Sequence, residues 1–210
     1  MGLPDQWDSC SRTILLEDNP SAFACWGDII AVGLRSNVKL LNAMTGITTS
    51  VLSGHTAMIC SLAFSPDGTL LVSESDDNSI KVWDIQTGGV VRTFGEVVRA
   101  PTVDGPFLLL PSSLPLSFSP DGNTIAVGAL AGVILLWNVQ TWKCHSIKTY
   151  HGNQLAVVSF SPINPRRLIS SSFNGHIQEW DVYGHRIRNV PSEAGRVEDR
   201  PLRFETPNPG

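Results

Sequence analysis

Along the middle of the chain, short apolar runs alternate with polar positions and are cut at close intervals by turn-forming clusters. Between 53 and 94 the pattern can be followed strand by strand. After Gly54 and His55, residues 58–64 read as a strand and Ser65-Pro66-Asp67-Gly68 as a tight turn. Pro66 presets φ, Asp67 hydrogen-bonds locally, and Gly68 tolerates a positive φ at the exit. Residues 70–75 supply a second strand, Asp76-Asp77-Asn78 a polar turn, and 79–84 a third strand. In that third strand Ile80 and Val82 fall on one face, Lys81 and Trp83 on the other. Thr87-Gly88-Gly89 then turns into a fourth strand at 90–94. The predicted unit is four antiparallel strands in about forty residues.

The unit repeats. Phe64-Ser65-Pro66-Asp67-Gly68 recurs at 118–122, and Trp137 follows Phe118 at the spacing at which Trp83 follows Phe64. A degenerate copy, Phe160-Ser161-Pro162-Ile163-Asn164, leads to Trp180 with one extra residue, expected in the turn at 163–167. Outer strands are expected at 142–149 and 185–190. Upstream, Lys39 to Gly46 aligns with Lys81 to Gly88. That places Leu41 at the tryptophan position, Ala22 at the Phe64 position, and a second strand at 29–33. Residues 13–17 read as one further strand.

Gly54-His55, the Phe64–Gly68 phrase and Trp83-Asp84 at these spacings resemble a WD repeat. The resemblance implies an all-β fold, a WD-repeat β-propeller assembled from four-stranded antiparallel blades. Four blades are expected (21–52, 53–94, 95–149 with an insertion at 95–111, and 150–190), with a disordered tail at 191–210. WD-repeat propellers usually close with seven or eight blades, so an incomplete ring is expected, an open arc or half-ring. The strand at 13–17 resembles the outer strand of a blade that the chain lacks. Glu179, at the place of Val82, would be costly under another blade unless paired and harmless at an open end.

In the 210 residues, 42% are hydrophobic and only 16% charged, with net charge −4. No basic field exists to draw in phosphate backbones, so nucleic acid is not an expected partner. The first twenty residues carry Asp5, Asp8, Glu17 and Asp18 and no signal pattern, and no apolar run reaches membrane length. An intracellular, cytoplasmic protein is expected, the nucleus not excluded. Cys10, Cys25, Cys60 and Cys144 are widely spaced and read as reduced.

By position, His55, Ser73, Asp77 and Trp83 match the hydrogen-bonded set that the family resemblance implies for linking strands within a blade. A nucleophile system is the competing reading. It is weakened because the fourth repeat keeps Ser170, Asn174 and Trp180 with His151 displaced by one, while the third has Val127 and Ala131 at the Ser and Asp positions. His145, His151, His176 and His185 have no paired ligand spacing, and no phosphate loop or nucleophile elbow is present, so no cofactor or metal is expected. The turn positions seven before each tryptophan, Asp76, Leu130 and Phe173, are candidate partner contacts. So is the apolar stretch Phe107, Leu108 and Leu109, followed by Leu110, inside the insertion.

The function expected is a non-enzymatic protein–protein interaction scaffold, with self-association or completion of the propeller by another chain as further expectations. The repeats also look like the arrays of fungal and bacterial signal-transduction NTPases, which would make the chain a partial sensor. Alternatives are a fragment without independent function or a ubiquitin-ligase substrate receptor. Gln86 and Tyr183 stand where many such receptors carry Arg two residues after Trp-Asp.

Overall fold

A computed structural model describes residues 14–95, 114–129, 132–149, 151, 155–173 and 175–190. Among the described residues sixteen strands form four separate sheets, each a four-stranded antiparallel meander, and no α-helix occurs. Blade 1 holds β1 (Ala22–Trp26), β2 (Ile29–Leu34), β3 (Asn37–Asn42) and β4 (Thr48–Ser53). Blade 2 holds β5 (Ile59–Phe64), β6 (Leu70–Ser75), β7 (Ser79–Asp84) and β8 (Val90–Gly95). Blade 3 holds β9 (Leu116–Phe118), β10 (Thr124–Ala129), β11 (Val133–Asn138) and β12 (Cys144–Lys148). Blade 4 holds β13 (Leu155–Ser161), β14 (Asn164–Ser172), β15 (Ile177–Asp181) and β16 (Arg186–Val190).

Blades 1 to 3 are apolar on both faces because their middle strands alternate two sets of buried residues, while blade 4 is apolar only on the face toward blade 3. Leu71 and Trp83 of blade 2 face Ala31, Val38, Leu40 and Leu52 of blade 1. Val72, Ile80 and Val82, on the reverse face, meet Ile125, Val127, Leu135 and Trp137 of blade 3. Ala126, Ile134 and Leu136 in turn meet Leu168 and Trp180 of blade 4. The inner strands pack in chain order, β1 on β5, β5 on β9 and β9 on β13, and among the described residues no comparable packing joins blade 4 to blade 1. The four blades form an incomplete propeller, an open arc.

The repeated turn behaves as its residues dictate. Asp67 accepts hydrogen bonds from the Ser65 hydroxyl and the Thr69 N–H, and Gly68 sits at φ +72°. Gly68 also lies under the Trp26 ring of blade 1, whose indole N–H donates to the Pro66 carbonyl at 2.8 Å. A second left-handed position is occupied by Trp142 at φ +56°, where blades 1 and 2 have Gly46 and Gly88. Its N–H closes the same turn on the Asn138 carbonyl, and its ring packs on Phe94 of blade 2 with centroids 5.8 Å apart.

Several expectations shift. Ala22 is not at the Phe64 position: Cys25 pairs with Ile30 as Phe64 pairs with Leu71, because a two-residue turn at Gly27-Asp28 replaces the longer Ser65–Thr69 turn. The extra residue of blade 4 does fall within 163–167, where the register shifts: Phe160 pairs with Leu168 and Ser161 already with Asn164. The outer strand expected from 142 begins at Cys144, Trp142 being in the turn. Residues 14–17 form no strand, lacking a ladder partner. They still alternate: Ile14 and Leu16 pack on Val32, Leu34 and Leu41, while Leu15 is exposed. Glu179 lies on the trailing face of blade 4, at the end of the arc, yet its side chain is only 8% exposed and is paired with Arg167 at 3.0 Å.

Gly68 and Gly122 share the same φ, but a Cβ on Gly68 would fall 2.2 Å from the Trp26 ring, whereas one on Gly122 meets Pro66 only at 3.7 Å. Gly122→Ala is therefore expected to cost about 1 kcal/mol from φ alone, and Gly68→Ala about 3 kcal/mol. Urea unfolding measures both; equal losses would remove the Trp26 contact as the cause.

Candidate functional site

Two features dominate the blades: a buried polar chain in blades 2 and 4, and the turns at the end of the second strand. In blade 2 the structure brings His55, Ser73, Asp77 and Trp83 together. Trp83 Nε1 donates to Ser73 Oγ at 2.8 Å, and Ser73 Oγ lies 2.8 Å from His55 Nε2. His55 Nδ1 lies 2.8 Å from Asp77 Oδ2. An indole can only donate, so the serine hydroxyl accepts from it and gives its own proton to Nε2. That leaves the imidazole proton on Nδ1, donated to Asp77. Asp77 also accepts from the Thr56 N–H and the Ser79 hydroxyl.

The electrostatics follow from burial. Desolvation drives His55 below its usual 6.5, against the raising pull of Asp77. Burial lifts the Asp77 carboxyl, but hydrogen bonds from Ser79, Thr56 and His55 outweigh it and bring it down to about 2. At neutral pH the pair is a neutral imidazole on a carboxylate. The serine oxygen, with an indole donor on one side and the imidazole on the other, sits in a residue of zero exposure. No route leads a substrate to it.

Blade 4 rebuilds the same chain with different residues. His151 Nε2 is 2.8 Å from Ser170 Oγ, which accepts from Trp180 Nε1 at 2.8 Å, so the one-residue displacement in sequence does not displace the ring. Ser172 Oγ lies 3.1 Å from His151 Nδ1. Asn174 lies outside the described residues. In blade 3, Val127 takes the serine position and is fully buried against Leu135, so apolar packing replaces the polar chain. Blade 1 does likewise with Val32 and Leu41.

Asp76 and Phe173 occupy one register position, each directly after the last residue of its second strand. Asp76 is half-buried, its N–H donating to the Met58 carbonyl at 2.9 Å, while Phe173 is 66% exposed. Leu130, Phe107, Leu108 and Leu109 lie outside the described residues. Sequence reasoning missed Met58, exposed beside Asp76, because it had been assigned to the first position of a strand that begins instead at Ile59.

Among the described residues no group of His, Cys, Asp and Glu could hold a metal ion. His185 pairs with Asp181 at 2.8 Å, and His145 Nε2 lies 2.8 Å from the Val182 carbonyl. Burial, reinforced by the Glu74 carboxyl, pushes the Cys60 thiol up to about 12, which removes it as a nucleophile. A cleft between blades 1 and 2 is lined by Asp28, Asn42, Thr49, Gln86 and Thr87 without a titrating pair.

The sequence profile of the WD domain, G-beta repeat, matches residues 46–84 and 116–138. The chain is similar to a periodic tryptophan protein 2 homolog of Schizosaccharomyces pombe, 32% identical over 58% of this chain and 13% of that protein. It is similar also to the COMPASS component SWD3 of Saccharomyces cerevisiae, 27% identical over 79% of this chain and 52% of that protein. Protein hir1 of Schizosaccharomyces pombe is 28% identical over 75% of this chain and 17% of its own length. The chain thus spans about half or less of these relatives.

The polar chain gives a pH signature. The folded His55 pKa lies below the unfolded one, so the unfolded state takes up the proton first and stability falls as pH drops below about 6.5. His151, also lowered by burial, adds to that step. The folded Asp77 pKa is depressed, so its contribution is complete above about 4 and is lost as pH falls toward 2, about 2 kcal/mol in all. Urea unfolding from pH 8 to pH 2 is expected to show both declines. His55→Gln should shrink each of them, and an unaltered profile in that variant would refute the assignment.

Proposed function

The chain is built from WD repeats, and we propose that it acts as a non-enzymatic protein-interaction scaffold that displays turns from a rigid arc of blades. The observation that carries this reading is the contrast between the two features above. The only serine–histidine–aspartate group among the described residues is sealed inside a blade and tied to a tryptophan. Large apolar side chains instead stand exposed on turns, Ile163, Met44, Tyr183 and Phe173 among them. Exposed aromatic residues on a rigid frame are the usual anchors of protein interfaces. Leu130 and the insertion at 95–111, with Phe107, Leu108 and Leu109, belong to the same proposed surface.

The named relatives lend support: one carries "component" of a complex in its own name. Nothing in them supports the partial-sensor expectation, and that reading is dropped. The partner is proposed to be protein. The net charge of −4 gives no pull toward nucleic acid, and no helix among the described residues is long and apolar enough to cross a membrane. An intracellular setting is proposed, nucleus and cytoplasm alike. One observation favours a second reading, a piece that works only as part of a larger ring: among the described residues, blades 1 and 4 do not pack as successive blades do.

Phe173→Asp is expected to leave the urea midpoint within about 0.5 kcal/mol of the parent, as the ring is exposed. The same change should cost about 2 kcal/mol, some thirtyfold, in affinity for a partner identified by affinity capture. Removing the insertion should also leave folding intact and abolish capture. Capture unchanged in both variants would overturn the assignment of this surface.

A further inference from the structure

The three internal joints share one construction. The leading face of each blade presents a first-strand residue (Leu62, Leu116 or Val158) and a tryptophan (Trp83, Trp137 or Trp180). The trailing face of the blade before it answers with Ala31, Val72 or Ala126 from the second strand and Leu40, Val82 or Leu136 from the third. An outer-strand residue, Leu52, Phe94 or Ile147, closes the joint against the next blade's third turn, where it meets Gly88, Trp142 or Gly184. The ends of the arc carry the two unmatched halves of that joint. Phe23, at the position of Leu62 and Val158, is 74% exposed where those are 9% and 3%. Ile169, at the position of Val72 and Ala126, is 41% exposed where both of those are fully buried.

We propose that two copies of this chain join head to tail through these half-joints into a closed pair, and that residues 14–18 hold the joint in check. The leading face of blade 1 is partly occupied already. Ile14 sits over Gly46 as Leu52 sits over Gly88 and Ile147 over Gly184, so it fills the place of a preceding outer strand. Leu16 covers Val32, Leu34 and Leu41 beside it. Glu17 pairs with Lys39 at 3.2 Å and Asp18 with Arg35 at 3.0 Å. These residues leave Phe23 open. An incoming blade 4 brings its own outer strand, β16, and needs the strip that Ile14 holds, so the two occupants exclude each other. Both ion pairs holding the segment involve exposed side chains and are screened, which makes it releasable.

Charge singles out a second copy as the occupant. Within the joint between blades 2 and 3, Val82 packs with Leu135 and Trp137. In blade 4 the Val82 position is Glu179, and in blade 1 the Leu135 and Trp137 positions are Lys39 and Leu41. Seating blade 4 on blade 1 by the same register brings Glu179 to Lys39, replacing Glu17 carboxylate for carboxylate. Two such joints, each like the three already present, make a closed ring of eight blades, within the range propellers adopt.

The test is solution mass by sedimentation across a concentration series, on the full chain and on variants first checked for cooperative unfolding. The double variant Ile14→Asp/Leu16→Asp should lower the midpoint of the monomer–dimer equilibrium about tenfold or more. Adding Phe23→Asp or Ile169→Asp should abolish the dimer. Mixing those two chains should restore a pair through the one joint that remains intact, the signature of a head-to-tail contact. The proposal is overturned if the released chain stays monomeric, if its dimer ignores both substitutions, if mixing restores nothing, or if species larger than a dimer form instead.

Discussion

Burial between successive sheets is the interaction on which everything else in this molecule rests. A four-stranded sheet of this length that is apolar on both faces cannot be stable alone, because one face always remains in water. Each of Trp83, Leu71, Val72 and Val82 is almost wholly buried, yet the first two are buried by blade 1 and the last two by blade 3. At about 1.5–3 kcal/mol for each large side chain removed from water, a single joint outweighs any hydrogen bond in the blade. The blade is therefore a unit of sequence but not a unit of stability.

This ordering of terms explains how freely the polar chain is rewritten. His55, Ser73, Asp77 and Trp83 satisfy one another completely, and blade 4 reaches the same result from His151, Ser170, Ser172 and Trp180. Blade 3 has Val127 there, and blade 1 has Val32. A buried polar group left half-satisfied would be worse than none, so the set is either complete or replaced by hydrocarbon. What stays constant across all four blades is the packed position opposite the second strand, held by Leu41, Trp83, Trp137 and Trp180.

The sequence made the architecture legible where spacing carried it. The distance from Phe64 to Trp83 spans two turns of fixed length, so the pairing of Phe64 with Leu71 and of Leu71 with Trp83 could be read in advance. It failed where turn length changed without a marker. Gly27 and Asp28 reverse blade 1 in two residues, and counting forty-two positions from blade 2 then put Ala22 where Cys25 lies. His151 was legible as displaced but not as still bonded, since a loop can absorb one residue while a ring keeps its place. Trp142 could not be foreseen: a tryptophan in the left-handed region contradicts local preference, and only its contact with Phe94 across the joint offsets that cost. Exposure of Phe173 was legible as a candidate because an apolar residue stood in a polar turn.

The ends of the arc show what the doubly apolar sheet demands when a neighbour is missing. Blade 1 is covered by a segment that keeps the alternation of a strand, Ile14 and Leu16 inward and Leu15 outward, without hydrogen-bonding as one. Blade 4 answers differently, by placing Glu179 and Arg167 on its trailing face, where blades 2 and 3 carry Val82 and Leu136 on theirs. A charge pair at that position weakens the drive toward indiscriminate apolar contact and raises the cost of any neighbour that lacks a matching group. Both devices are local edits to one repeated joint. An array whose inner blades each need two neighbours is rigid inside, and its edits gather at the rims, where a covering segment or a charge pair stands in for the missing apolar contact.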